Sequence, residues 1–114
     1  MKTVGQQIFT SLTNNATFTA VMGNRLYPVI ALSTAKTPFS VYRLRQTPVS
    51  IDGDEFDVTI FSFFDANAAS EAMAFNDDMV RFFKNIDLFY YISSEIDYID
   101  ENQQIVLMFN LKTI

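Results

Sequence analysis

A chain of 114 residues is long enough for one domain with a modest hydrophobic core, and 49% apolar residues, with Phe at 12 positions, exclude a disordered segment. Charged residues, at 18%, fall below the usual share for a soluble domain, which points to surface that a partner buries. The net charge of -5 without a basic arm argues against a general nucleic-acid binder, and the absence of Cys and His removes disulfides, thiolate chemistry, the usual metal ligand and the commonest general base.

The opening MKTVGQQIF meets Gln residues too early for a secretory signal, and no apolar run approaches the length of a membrane span. The expectation is a soluble protein made in the cytoplasm. Residues 4–12 then predict a first helix with Val4, Ile8, Leu12 and Phe9 as its apolar stripe, Thr3 as N-cap and Asn14–Asn15 as the stop. A short helical turn over residues 17–22 ends at Gly23, where a left-handed cap suits glycine. Residues 25–31 read as extended, and Pro28, lacking an amide hydrogen, assigns them to a sheet edge or bulge.

A loop over residues 32–38 leads to FSVYRLRQ, which sets Phe39, Val41, Arg43 and Arg45 on one side and Ser40, Tyr42, Leu44 and Gln46 on the other. Pro48 ends or bends this strand, and Asp52–Gly53 is a turn signal. The next strand, EFDVTIFSFFD, is apolar on both faces. Phe56, Val58, Ile60 and Phe64 form one face, and Phe61 and Phe63 stand on the other. Ala68, Ala72, Phe75, Met79, Phe82 and Ile86 then recur at helical spacing, with Phe83 widening the stripe. This predicts a helix over residues 67–85, capped by Asp65 or Asn67.

LFYYI, residues 88–92, is either the start of a strand or a connector. Residues 95–99 and 104–113 flank DENQ as a closing hairpin, whose last strand is apolar through both Ile105, Leu107, Phe109, Leu111 and Val106, Met108. The fold class expected is α+β: one domain over residues 1–114, a mainly antiparallel sheet packed against two helices in the approximate order α-β-β-β-α-β-β.

No constellation of catalytic residues emerges. The acids around Asp52–Asp57 lack the length and offsets of a calcium loop, and Asp77–Asp78 diverge by about 100° on a helix and make a poor acid pair. The three glycines are isolated, so no phosphate loop exists. The expectation is no enzyme, no cofactor and no metal. The candidate sites form a protein interface of Tyr42, Arg43, Arg45, Phe61 and Phe63.

Across nearly its whole length the chain resembles the tail-completion, or tail-terminator, proteins of long-tailed bacteriophages and prophages, a family of minor tail proteins. The resemblance rests on VGQQIFTSLTNN, GNRLYPVIALSTAKTPFSVYRLR, DVTIFSFFDANAASEAMAFNDDMVRFF and IDENQQIVLMFNLKTI, with Pro28, Pro38 and the strand over residues 58–64 before the Ala-rich helix as its most characteristic parts. It implies a structural protein of the virion tail or neck, made in the bacterial cytoplasm. Such a protein forms a homo-oligomeric, commonly hexameric, ring on the tail-tube protein and joins it to the head-side connector. DNA passes through without sequence-specific binding, and no membrane is involved. The alternative is a small adaptor or inhibitor that binds a protein ligand on the apolar sheet.

Overall fold

The computed structural model describes residues 1–31, 34–50 and 53–113. Helix α1 (Lys2–Thr13) buries Gly5, Ile8 and Leu12, three and four residues apart, while Phe9 points outward and is 41% exposed. The helix begins before its first apolar residue, so Met1 is the N-cap and the expected cap, Thr3, lies inside the first turn. Asn14 ends α1. Asn15 starts α2 (Ala16–Met22), its side-chain oxygen accepting the Phe18 N–H at 2.8 Å. Gly23, at φ +60° and ψ −127°, closes α2 with a positive φ that suits glycine, but outside the left-handed helical cap expected.

Strand β1 (Leu26–Pro28) is short and lies at a sheet edge, where proline forfeits no ladder bond. Strands β2 (Phe39–Ser50) and β3 (Gly53–Asp65) pair along their length. Pro48 bends this hairpin instead of ending it: the register shifts between Pro48 and Ser50, and pairing resumes at Ser50 and Gly53. The Asp52 half of the expected turn lies outside the described residues. Helix α3 (Ala69–Asn85) follows, with Ala68 at the N-cap and no side-chain cap. Asp65, expected to cap it, instead accepts a hydrogen bond from the Thr37 hydroxyl, and Asn67 is exposed. Residues 88–92 resolve as the start of β4 (Phe89–Ile99), which turns at residues 100–103 into β5 (Gln104–Thr113).

The five strands form one sheet in the order β1-β2-β3-β5-β4, parallel between β1 and β2 and antiparallel elsewhere. The helices, three among the described residues rather than the two expected because residues 16–22 form a full helix, pack on one side of it. Their shared core takes alternate strand residues: Tyr42 from β2, Val58, Ile60 and Phe64 from β3, and Ile105, Leu107, Phe109 and Leu111 from β5. Into it α3 inserts Ala72, Phe75, Met79 and Phe83; Phe82 and Ile86 flank this stripe. Phe75 meets the rings of Phe18, Phe64 and Phe109 at 6.1, 5.6 and 6.2 Å, and Phe83 meets Phe109 at 5.3 Å. Three of these four pairs are edge-on, the geometry aromatic quadrupoles favour. The polar exception is a pair of fully buried hydroxyls, Ser40 and Ser62, hydrogen-bonded to each other at 2.8 Å.

Candidate protein interface

The other side of the sheet carries no helix among the described residues. Its side chains form a lattice set by register. Phe39 pairs with Phe63, and Val41 with Phe61; across β3, Phe63 pairs with Val106 and Phe61 with Met108. Further along, Arg43, Thr59 and Asn110 share one row, and Arg45, Asp57 and Lys112 the next. Across β2, β3 and β5 the face is therefore apolar at one end and charged at the other, while on β4 the apolar rows end in Glu95, opposite Met108, and Asp97, opposite Val106.

The apolar end buries its own floor. Phe39, Val41 and Val106 are 9%, 5% and 8% exposed although none belongs to the helix-side core. Phe61 and Phe63 lie beside them, half-buried. The Phe39 and Phe63 rings stack at 4.9 Å, and the Arg43 guanidinium sits 5.0 Å from the Phe61 centroid. Around these rings runs an open groove of about 390 Å³, bordered by Val29 and Ile30 on one side and by Ile99 and Asn102 on the other.

The Val29 border is held in an unusual shape. Val29 is β-branched yet has φ +65°, a region that normally admits glycine. Its N–H bonds the Tyr42 carbonyl at 2.9 Å, the Ile30 N–H bonds the Pro28 carbonyl at 2.6 Å, and Arg43 donates through Nε to the Val29 carbonyl at 3.3 Å. These bonds hold a conformation that costs on the order of 1–3 kcal/mol. The result is that Val29 and Ile30 project from the border, 64% and 77% exposed.

The charged end is tied together internally. Lys112 pairs with Glu55 at 3.1 Å, and Asn110 donates to Ser93 at 3.1 Å. Exposed Arg45 lies directly across the strand pair from Asp57.

Of the five residues singled out in the sequence, four share this face: Arg43, Arg45, Phe61 and Phe63. Tyr42 is placed elsewhere, because consecutive strand residues point to opposite faces. It is 9% exposed in the helix-side core, where a Cβ added at Gly5 would approach its Oη to 3.4 Å. Burial pushes the Tyr42 phenol above its usual pKa.

Sequence reasoning reads residues 95–99 as one arm of the closing hairpin and 88–92 as a strand start or connector, but does not single out the surface of the outer strand β4. That strand exposes Tyr90, Ile92, Ile96 and Tyr98, and Met73 of α3 stands exposed as well, lining one depression with Ile96. The run of aromatic and β-branched residues at 89–92 was the available signal. Its alternation is broken by a register shift between Tyr91 and Ser93, which leaves Ile92 as an extra residue.

The acids weighed as catalytic are dispersed. Asp78 pairs with Arg81 at 3.4 Å on the exposed side of α3, and Asp54 accepts from Gln46 at 2.6 Å. Among the described residues no group of three or more His, Cys, Asp or Glu side chains is placed to hold a metal. No helix among them is long and apolar enough to cross a membrane.

No protein-family model and no curated protein matches the sequence. Among solved structures, the chain is similar to one from the virion of a native gene transfer agent particle, with a TM-score of 0.73 and 12% identity over 93% of this chain and 89% of that one. At that identity the likeness is one of fold: an α+β domain that recurs in a virion.

Proposed function

We propose that the chain is a non-catalytic assembly protein of a bacteriophage or prophage virion, one that completes the tail tube and joins it to the head-side connector as a ring. The observation that carries this reading is the fold shared with a virion chain over 93% of the residues. The open sheet face supports it, because an apolar groove edged by outward Val29 and Ile30 is surface that assembly would cover. Arg43, Arg45, Phe61 and Phe63 make the contact, with neighbouring copies or with the tube. The net charge of -5 suits a ring through which DNA slides without adhering.

Electron microscopy of tail-tube protein polymerised with and without the chain tests the reading. Rings, or tubes capped at one end and limited in length, are expected. Uncapped tubes of unlimited length in the presence of the folded chain would overturn it.

A further inference from the structure

The charged side chains divide along the sequence. Lys2, Arg25, Lys36, Arg43 and Arg45 are the charged side chains preceding Asp52, whereas residues 52–114 hold all 13 carboxylates against Arg81, Lys84 and Lys112. Strand order converts part of this into a division in space: β1 and β2 form one end of the sheet and β4 the other, while β3 between them carries Asp54, Glu55, Asp57 and Asp65, with Asp57 opposite Arg45, and β5 carries Lys112 alone. On β4 and its turn Glu95, Asp97, Asp100 and Glu101 are all exposed, and neither Lys nor Arg occurs between Lys84 and Lys112. Lys84 itself lies 5.7 Å from the Tyr91 ring, at the start of the strand.

Both ends also offer unfinished strand edges. β4 pairs with β5 alone, and Tyr90, Ile92, Ile96 and Tyr98 stand 40–58% exposed along it. At the opposite end β1 covers β2 only from Ser40 to Tyr42. Beyond Tyr42 no strand among the described residues pairs with the outer side of β2. Where β1 stops, a depression of about 290 Å³ opens beside Leu44, lined by Lys2, Pro28 and Val29. Pro48, lacking an amide hydrogen, interrupts strand addition on this edge, beside the exposed Arg43 and Arg45 and the register shift between Pro48 and Ser50.

We infer that copies of this chain join head to tail, the acidic β4 edge of one seated against the basic β2 edge of the next. Charge selects this pairing: β4 against β4 sets carboxylates on carboxylates, and β2 against β2 sets cations on cations. The exposed aromatic and aliphatic side chains of β4 supply the apolar area, and the depression beside Leu44 receives one of them. A contact between unlike patches propagates, closing to a ring or running on as a filament according to the rotation per step. This deepens the ring reading by naming its two surfaces, and it stands or falls separately from any role on a tail tube.

Two charge-reversed forms of the full chain test it: Lys2→Glu with Arg45→Glu, and Glu95→Lys with Asp97→Lys. All four positions are exposed, and circular dichroism verifies that each form folds. Sedimentation is expected to show wild-type chains associating with rising concentration and each reversed form associating about 100-fold more weakly. An equimolar mixture of the two forms presents opposite charges at every junction and is expected to return to within about tenfold of wild type. A wild-type chain that stays monomeric to its solubility limit overturns the inference. So does a reversed form that associates like wild type, or a mixture that fails to recover. Rescue in the mixture without tube capping would sink the tail-completion reading alone; tube capping by a wild-type chain whose mixture shows no rescue would sink the head-to-tail contact alone.

Discussion

The two faces of the sheet are built from the same strands and finished differently. On the helix side Val58, Ile60, Phe64, Leu107, Phe109 and Leu111 are each at most 2% exposed, because three helices close over them. On the open side Phe39, Val41 and Val106 are nearly as well buried, but their cover is Phe61, Phe63 and Met108 on the neighbouring strands, which remain half-buried. An aromatic-rich sheet can thus hide its floor by lateral contact alone and pass the exposure to an outer row. The helix side supplies stability to the single chain, and the open side is the surface proposed above for assembly.

The largest expected effect is on the covered side. Phe83→Ala removes a ring packed on Phe82, Phe89 and Phe109 and should lower unfolding free energy by about 3–5 kcal/mol in urea titrations. Next comes the buried hydroxyl pair. Ser40→Ala leaves the Ser62 hydroxyl without its partner, a loss of about 1–3 kcal/mol, and Ser40→Ala with Ser62→Ala together should cost less than the sum of the two single changes.

Phe61→Ala on the open face should destabilise the monomer by only about 1–1.5 kcal/mol while reducing association or tube capping. A loss as large as that for Phe83→Ala, with assembly intact, would erase the distinction between the faces. Smaller still is Gly5→Ala, where the new Cβ rests 3.4 Å from the Tyr42 Oη, within ordinary contact, and helix propensity adds up to about 1 kcal/mol. A melting temperature that falls would mean α1 packs closer than this.

The smallest effect depends on pH. Burial raises the Tyr42 pKa, so the fold holds the neutral phenol. The contribution is complete below the unfolded-state value of about 10 and is lost as pH rises through the folded-state value. Tyr42→Phe should therefore show the flatter stability profile above about pH 10 in alkaline denaturation.

Local order was legible in the sequence wherever burial follows a period. The α3 stripe is visible as Ala72, Phe75 and Met79, and the β3 alternation correctly separates Val58, Ile60 and Phe64 from Phe61 and Phe63. At its end the stripe runs through Phe83 rather than Phe82, a choice fixed by Phe89 and by Phe109, which lies 26 residues away and outside any local window. Caps were less legible, because Thr3 and Asp65 are chemically suited to that role and tertiary geometry gave them other positions. The open face could be read as a pattern. Its closing row of Val29 and Ile30 could not, since it depends on a β-branched residue at positive φ. Strand order, which carries the two ends of the molecule apart, is a matter of long-range pairing and leaves no local trace.

The insertion of β5 between β3 and β4 also imposes an order in time. Strand β4 pairs with the sheet only through β5, so until residues 104–113 have left the ribosome residues 89–99 have α3 to pack on, through Phe83 and Phe89, but no strand to pair with. An unfinished chain therefore carries its outer strand without the ladder that fixes its register.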